Sequence, residues 1–410
     1  MDSDHTLPTY TPSTPSPSYS TILLPGERTV EQTQRQALSS YTGSFRRITD
    51  DITLVLKDQR PGSIVPAYGR NALVRGHISL HNVDTLSAVH LKLEGALTIE
   101  MSFYSSKTTL IASSFTMWQS DGSSSARPPL NIPFVLVFPT TYQDGGQEYP
   151  LPPTFDSEGS PASCSYTLTV ALSKPRQLLP FLTQSETLSI PLHYYPRSRP
   201  HAPILPSGLS FMSTVKSSPE EWHQVMSTMN SVPSSGIVPI QCSLFIPSVQ
   251  VFALTDVIPF HLQLRGPKSS LSAFIYHVSS PTGSNSSLGI IGTAIRVYIS
   301  RQVIVKVGEE KIHRKRVLGE GTLRALSSSS DIKPIFRHSS STDGLDTLDW
   351  EGELQCNKEI TTPGFSIPQL AVKDSIVLSI TPPQPLTSPL LRLHHEHVIR
   401  LATDPWSDQG

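Results

Sequence analysis

The chain has 410 residues, of which 16% are charged, and a net charge of −1. That length exceeds one ordinary core and implies two or three domains. The near-neutral balance gives no general attraction to nucleic acid or to an acidic substrate, and the 37 prolines favour short strands joined by loops over helices.

Residues 1–45 are rich in Pro, Ser and Thr, lack periodicity, and are expected to form a disordered tail. With no basic start and no apolar stretch, this tail predicts no secretory signal. Strand patterns follow. Ile52, Leu54 and Leu56 share one face, as do Val74, Ile78 and Leu80 with Gly76 in the same row. Val89, Leu91, Leu93, Leu97, Ile99 and Met101 form another alternating row, and residues 132–138 form a fully apolar strand. That run is the longest apolar stretch and is far too short to span a bilayer. Tyr166, Leu168, Val170 and Leu172 alternate with polar neighbours, and so do Leu188, Ile190, Leu192 and Tyr194; Pro191 argues for a position near a sheet edge. Period two over many short segments predicts an antiparallel sandwich over residues 46–200.

Residues 201–236 break the rhythm and predict a Pro-rich linker with one short helix. The helix is placed at residues 217–231: Ser218 caps, Pro219 suits the first turn, and Trp222, Val225, Met226 and Met229 fall at i, i+3, i+4, i+7. Alternation resumes at Phe260, Leu262 and Leu264, whose partners His261, Gln263 and Arg265 point the other way. Val297, Ile299, Val303, Val305 and Val307 share a face, and Gly308 to Glu310 turn the chain into a long hairpin. Ser-rich insertions at residues 279–287, 327–330 and 338–343 read as loops, the Asn285 sequon among them. Residues 237–410 form a second sandwich on this reading.

Cys164, Cys242 and Cys356 are too few and too dispersed for a disulfide framework; buried thiols in a reducing compartment are expected. Nucleophile-elbow, P-loop and zincin motifs are missing, so no enzyme, catalytic residue or cofactor is predicted. The Gly-rich stretch at residues 318–323 is a turn between strands rather than a phosphate cradle. Asp346 and Asp349 with His338 could serve as acid and base, but a Ser-rich loop supplies no walls to shift them. His395 and His397 could face one way as a metal pair; with no further ligand nearby, a solvated strand end outweighs that and no metal is expected.

The segments at residues 69–82, 89–100 and 190–200, and those at residues 256–266, 301–321, 348–356 and 363–383, resemble successive strands of the arrestin-like family, most closely its fungal α-arrestin group. The resemblance covers about residues 46–406 and implies an all-β chain. Two tandem arrestin-type, immunoglobulin-like sandwiches would follow the disordered N-terminal tail, joined through one short linker helix. It implies a non-catalytic, cytoplasmic adaptor that links membrane cargo, through the cargo tails, to ubiquitin-dependent endocytosis, with recruitment to the plasma membrane or endosomes. Its alternative is a structural sorting subunit of a retromer-like complex. The implied ligase partner, a HECT-type ubiquitin ligase with WW domains, docks on Pro-Pro-x-Tyr. The prolines pre-set an extended turn and the Tyr hydroxyl fills a polar pocket. Here Pro152 and Pro153 lead to Phe155, which lacks the hydroxyl, while Pro8 with Tyr10 and Pro17 with Tyr19 lack the first proline. Lys311, Arg314, Lys315 and Arg316 are candidate contacts for a phosphate-bearing lipid or cargo tail, with a charged, protected strand edge as the plainer reading. Arg197 and Arg199 are candidate inter-domain polar contacts.

Overall fold

The computed structural model describes residues 30–32, 41–83, 86–120, 127–175, 183–200, 211–275, 294–326, 337–338, 345–382 and 385–406. The fold is all-β, and its strands lie mainly in two stacked pairs of sheets. In the first half one sheet has the order Gly43–Ile48, Ile52–Gln59, Leu73–Leu80, Asn131–Val137. The other runs Ala67–Tyr68, Thr183–Tyr194, Ala162–Pro175, Ala88–Met101, Tyr104–Gln119. The alternating apolar rows meet between them: Leu54, Leu56, Val74 and Ile78 against Leu91, Leu93, Leu168 and Ile190, all buried in one core. Gly76 stands in that row because any Cβ would lie 2.3 Å from the Val55 carbonyl oxygen and 2.8 Å from the Phe134 ring. Pro191 has only the two-residue strand Ala67–Tyr68 outside it. Residues 132–138 alternate rather than bury throughout, with Ile132, Phe134 and Leu136 inside and Val135 and Val137 exposed on an edge strand.

The second half pairs a sheet of order Trp222–Met229, Ile240–Pro247, Ile258–Gly266, Asp346–Leu354, Thr322–Ala325 with one of order Val251–Ala253, Leu393–Ala402, Leu370–Thr381, Ala294–Val307, Glu310–Glu320. Leu244, Phe260, Leu262, Val297, Ile299, Ile376 and Leu378 share its core. Gly321 alone separates the strands Glu310–Glu320 and Thr322–Ala325, and there the chain passes from one sheet to the other.

Two sequence expectations are corrected. Residues 222–229 are a strand, antiparallel to Ile240–Pro247, and only a 3₁₀ turn, Pro219–Glu221, precedes them. The helical spacing was degenerate: Val225 and Met229 fall on one strand face and enter the core, Met226 on the other is 65% exposed, and Trp222 is buried against the chain outside the sheet. The α-helix of this region is instead Phe211–Thr214, four residues long. Within and just past the expected disordered tail, Val30–Gln32 pairs with Ser198–Pro200, distant in sequence, and Gly43–Ile48 is the first strand of a sheet, forming a hairpin with the adjacent Ile52–Gln59; both gain backbone partners. Residues 1–29 and 33–40 of that tail lie outside the described residues, as do the Ser-rich insertions at 279–287, 327–330 and 339–343; His338 pairs with Asp346.

Burial raises the Cys164 and Cys242 thiols to about 12 and the Cys356 thiol to about 11, against an ordinary value of 9.0. All three are free and buried, so a disulfide-exchange reagent at pH 8 should find no thiol in the native chain and three in denaturant. Because the folded values lie above the unfolded one, this contribution to stability is whole below pH 9 and is lost as pH rises toward 11–12. The melting temperature should fall across that alkaline window.

Candidate functional site

The two halves meet along a seam built from one continuous strand face. In Ala294–Val307 the odd-numbered side chains point one way; Val297 and Ile299 enter the second core, whereas Val303 and Val305 enter the first. The neighbouring strand repeats the division, with Ile376 and Leu378 in the second core and Leu370 and Val372 in the first. Between the two groups stand Arg301 and Asp374, cross-strand partners with side chains only 6% and 1% exposed. Arg301 Nε and Nη2 donate to Asp374 at 2.7 and 3.1 Å, and the Gly364 amide donates to the same carboxylate at 3.1 Å. The pair therefore closes a low-dielectric boundary with its lone pairs largely satisfied.

Further contacts lock the seam. Phe155 packs edge-on to Phe365 at 5.4 Å, Gln369 Nε2 donates to Asp144 at 3.0 Å, and Thr362 donates to the Thr154 carbonyl at 3.4 Å. Arg197 grips Asp404 with two bonds of 2.9 and 2.7 Å, and Thr403 Oγ1 bonds both the amide and the carbonyl of Ser198. Arg197 thus lies where the first half meets the last strand. Arg199, a few residues on, pairs through its backbone with Glu31.

This geometry corrects the docking expectation for residues 152–155. Pro152, Pro153 and Phe155 are buried, Tyr166 Oη donates to the Pro152 carbonyl at 2.5 Å, and Phe155 bridges to Cys164. A WW domain needs both prolines and the ring on the surface, and here all three are buried, with the Phe155 ring in the seam. Pro8, Tyr10, Pro17 and Tyr19 lie outside the described residues.

The basic strand Glu310–Glu320 is the edge of its sheet, and Gly308 at φ 58 makes the left-handed turn into it. Register places Ile312, Arg314 and Arg316 on the face of Val305, Val303 and Arg301, and Lys311, His313 and Lys315 on the opposite face with Lys306, Ile304 and Gln302. His313 contacts Gln302 at 3.2 Å, and Lys315 pairs with Glu396. The Lys315 ammonium, with His394 adding to it, holds the Glu396 carboxyl below its usual value. Lys311, Arg314 and Arg316 are exposed and make no ion pair or side-chain hydrogen bond with the described residues. Among the described residues the edge thus carries three cations without counterions on the outermost strand of its sheet.

His395 and His397 do share a face, opposite Leu378 and Ile376. His397 bonds Gln250 at 2.9 Å and its ring lies 4.9 Å from that of His223. Among the described residues no group of three or more His, Cys, Asp or Glu could hold a metal. Asp346 and Asp349 are not in a loop but on the strand Asp346–Leu354, where Asp349 Oδ1 lies 3.0 Å from Nε2 of the fully buried His261. The sequence pattern placed His261 on the face away from Phe260, Leu262 and Leu264 and gave no sign of its burial.

No protein-family model and no curated protein matches this sequence. Among solved structures the chain is similar to squid arrestin, at 9% sequence identity and a TM-score of 0.37, over 90% of this chain and 99% of that one. A likeness this distant assigns no function and no family to the chain.

Proposed function

We propose that this chain is a non-catalytic, arrestin-like adaptor that works at the cytoplasmic face of a membrane and holds an anionic partner on the strand Glu310–Glu320. The observation that carries the reading is the set of cations Lys311, Arg314 and Arg316 on an exposed sheet edge, with no counterion among the described residues. Like charges so placed raise the local concentration of an anionic surface or tail and fade within about 10 Å at 0.1 M salt. The seam supports the reading because it holds the two halves as one platform.

The test is flotation with phosphatidylserine-containing vesicles and capture by acidic, membrane-protein tail peptides. Wild type should bind in low salt, and K311E/R314E/R316E should lose at least about tenfold in affinity, since each cation near an anionic surface contributes about 1 kcal/mol. Equal binding by the two proteins would remove the strand from the site.

The link to a HECT-type ubiquitin ligase rests on Pro8, Tyr10, Pro17 and Tyr19, and capture by isolated WW domains tests it. Burial of residues 152–155 favours, as a second reading, a retromer-like sorting subunit that works without a ligase. Co-purification of one stoichiometric protein partner from native cells would support that reading.

A further inference from the structure

The strand Asn131–Val137 ends one sheet of the first half, with only Leu73–Leu80 beside it. The Leu80 amide donates to the Leu130 carbonyl and the Phe138 amide to the Ala72 carbonyl, both at 2.9 Å. In an antiparallel ladder such pairs recur at every second residue, so the even-numbered residues bond toward the sheet. The N–H groups of Asn131, Val135 and Val137, and their carbonyls with that of Pro133, therefore face outward. No described strand pairs with them.

The side chains along this edge match its open backbone. Val135 and Val137 are 62% and 60% exposed, and Leu130 to Phe138 contains no charged residue. Edge strands are ordinarily protected by charge, by cover or by proline. Here Pro133 is the protection, and it removes one outward N–H while leaving those on either side of it. The strand Glu310–Glu320 is the opposite case: laid against a second copy of itself, its Lys and Arg side chains would meet like charges.

We propose that Asn131–Val137 pairs with the same strand of a second copy of this chain, antiparallel about a twofold axis at Phe134. That register sets Asn131 opposite Val137 and Pro133 opposite Val135 of the other copy. Outward-facing residues set opposite each other exchange hydrogen bonds, two for each Asn131–Val137 pair and one for each Pro133–Val135 pair. Every outward N–H then finds a carbonyl, and the proline, which has none to give, faces a residue that needs only an acceptor. Val135 and Pro133 of both copies gather at the axis, where no charge opposes them. A contact of one strand is small beside the roughly 1,000 Å² that marks a stable interface, so the dimer is reversible and forms with rising concentration. This strand belongs to the first half and Glu310–Glu320 to the second, and the test uses neither lipid nor tail peptide, so either reading can fail alone.

The experiment measures the mass of the full chain by sedimentation over a concentration series, with amide hydrogen exchange on the same samples. Wild type should rise from monomer toward dimer. Val135 and Val137 amides should exchange more slowly in the concentrated samples, while Phe134 and Leu136, bonded within the sheet, stay protected throughout. Val135→Pro removes an outward N–H at a position equivalent to that of Pro133, and should weaken the dimer at least about tenfold. Val135→Lys puts a like charge beside the axis; it should also weaken the dimer and decides the case if V135P does not melt cooperatively. A wild type that stays monomeric, or a dimer that both variants leave unchanged, overturns the proposal. So does protection of Val135 and Val137 that is equal at every dilution, which would mean that the chain itself covers the edge.

Discussion

Asp374→Ala should lower the unfolding free energy by about 3–5 kcal/mol, the cost of stranding one partner of a buried ion pair. The loss arises because Arg301 keeps its charge in a site where its side chain is 6% exposed, and because the Gly364 amide loses its acceptor as well. Urea titration of the two proteins measures it. The double variant R301M/D374L removes both charges and fills the space with apolar atoms, so it should recover most of the loss or exceed wild type. If D374A and the double variant are equally unstable, packing at this boundary matters and the ion pair does not.

Phe155→Ala should cost about 3–5 kcal/mol, the usual range for emptying a buried aromatic site. Phe155 is 3% exposed, sits in the first core and meets Phe365 of the second half, so its removal leaves a cavity where the halves join. Phe155→Tyr is the more informative change, since it completes a Pro-Pro-x-Tyr motif. Buried at the seam, the new hydroxyl should cost about 1–3 kcal/mol unless it finds a partner, and the folded chain should still not capture a WW domain. Capture by F155Y but not by wild type would mean that residues 152–155 leave the seam in the native state.

The faces of most strands were legible because alternation is a local property. Ile52, Leu54 and Leu56, or Leu168 and Val170, need only the two-residue period to be assigned inward, and they are buried. Residues 222–229 were misread because Trp222, Val225, Met226 and Met229 satisfy a helical period in one dimension. The choice fell to pairing with Ile240–Pro247, which supplies a backbone ladder and an inward face for only two of the four. Residues 152–155 were taken for a surface motif because sequence carries no measure of exposure.

By itself the sequence determined an all-β chain of many short strands, the inward row of most of them, the long hairpin and its charged arm. Those follow from side-chain spacing, turn residues and charge, which act over a few positions. Only tertiary structure decided that Val303 and Val305 leave the core that Val297 and Ile299 enter, and that Arg301 meets Asp374 at the division. Tertiary structure also set Phe211 on His261. The reason is physical: desolvation and pairing depend on which surfaces approach in space, and the strands and loops that do so here are separated by tens to hundreds of residues.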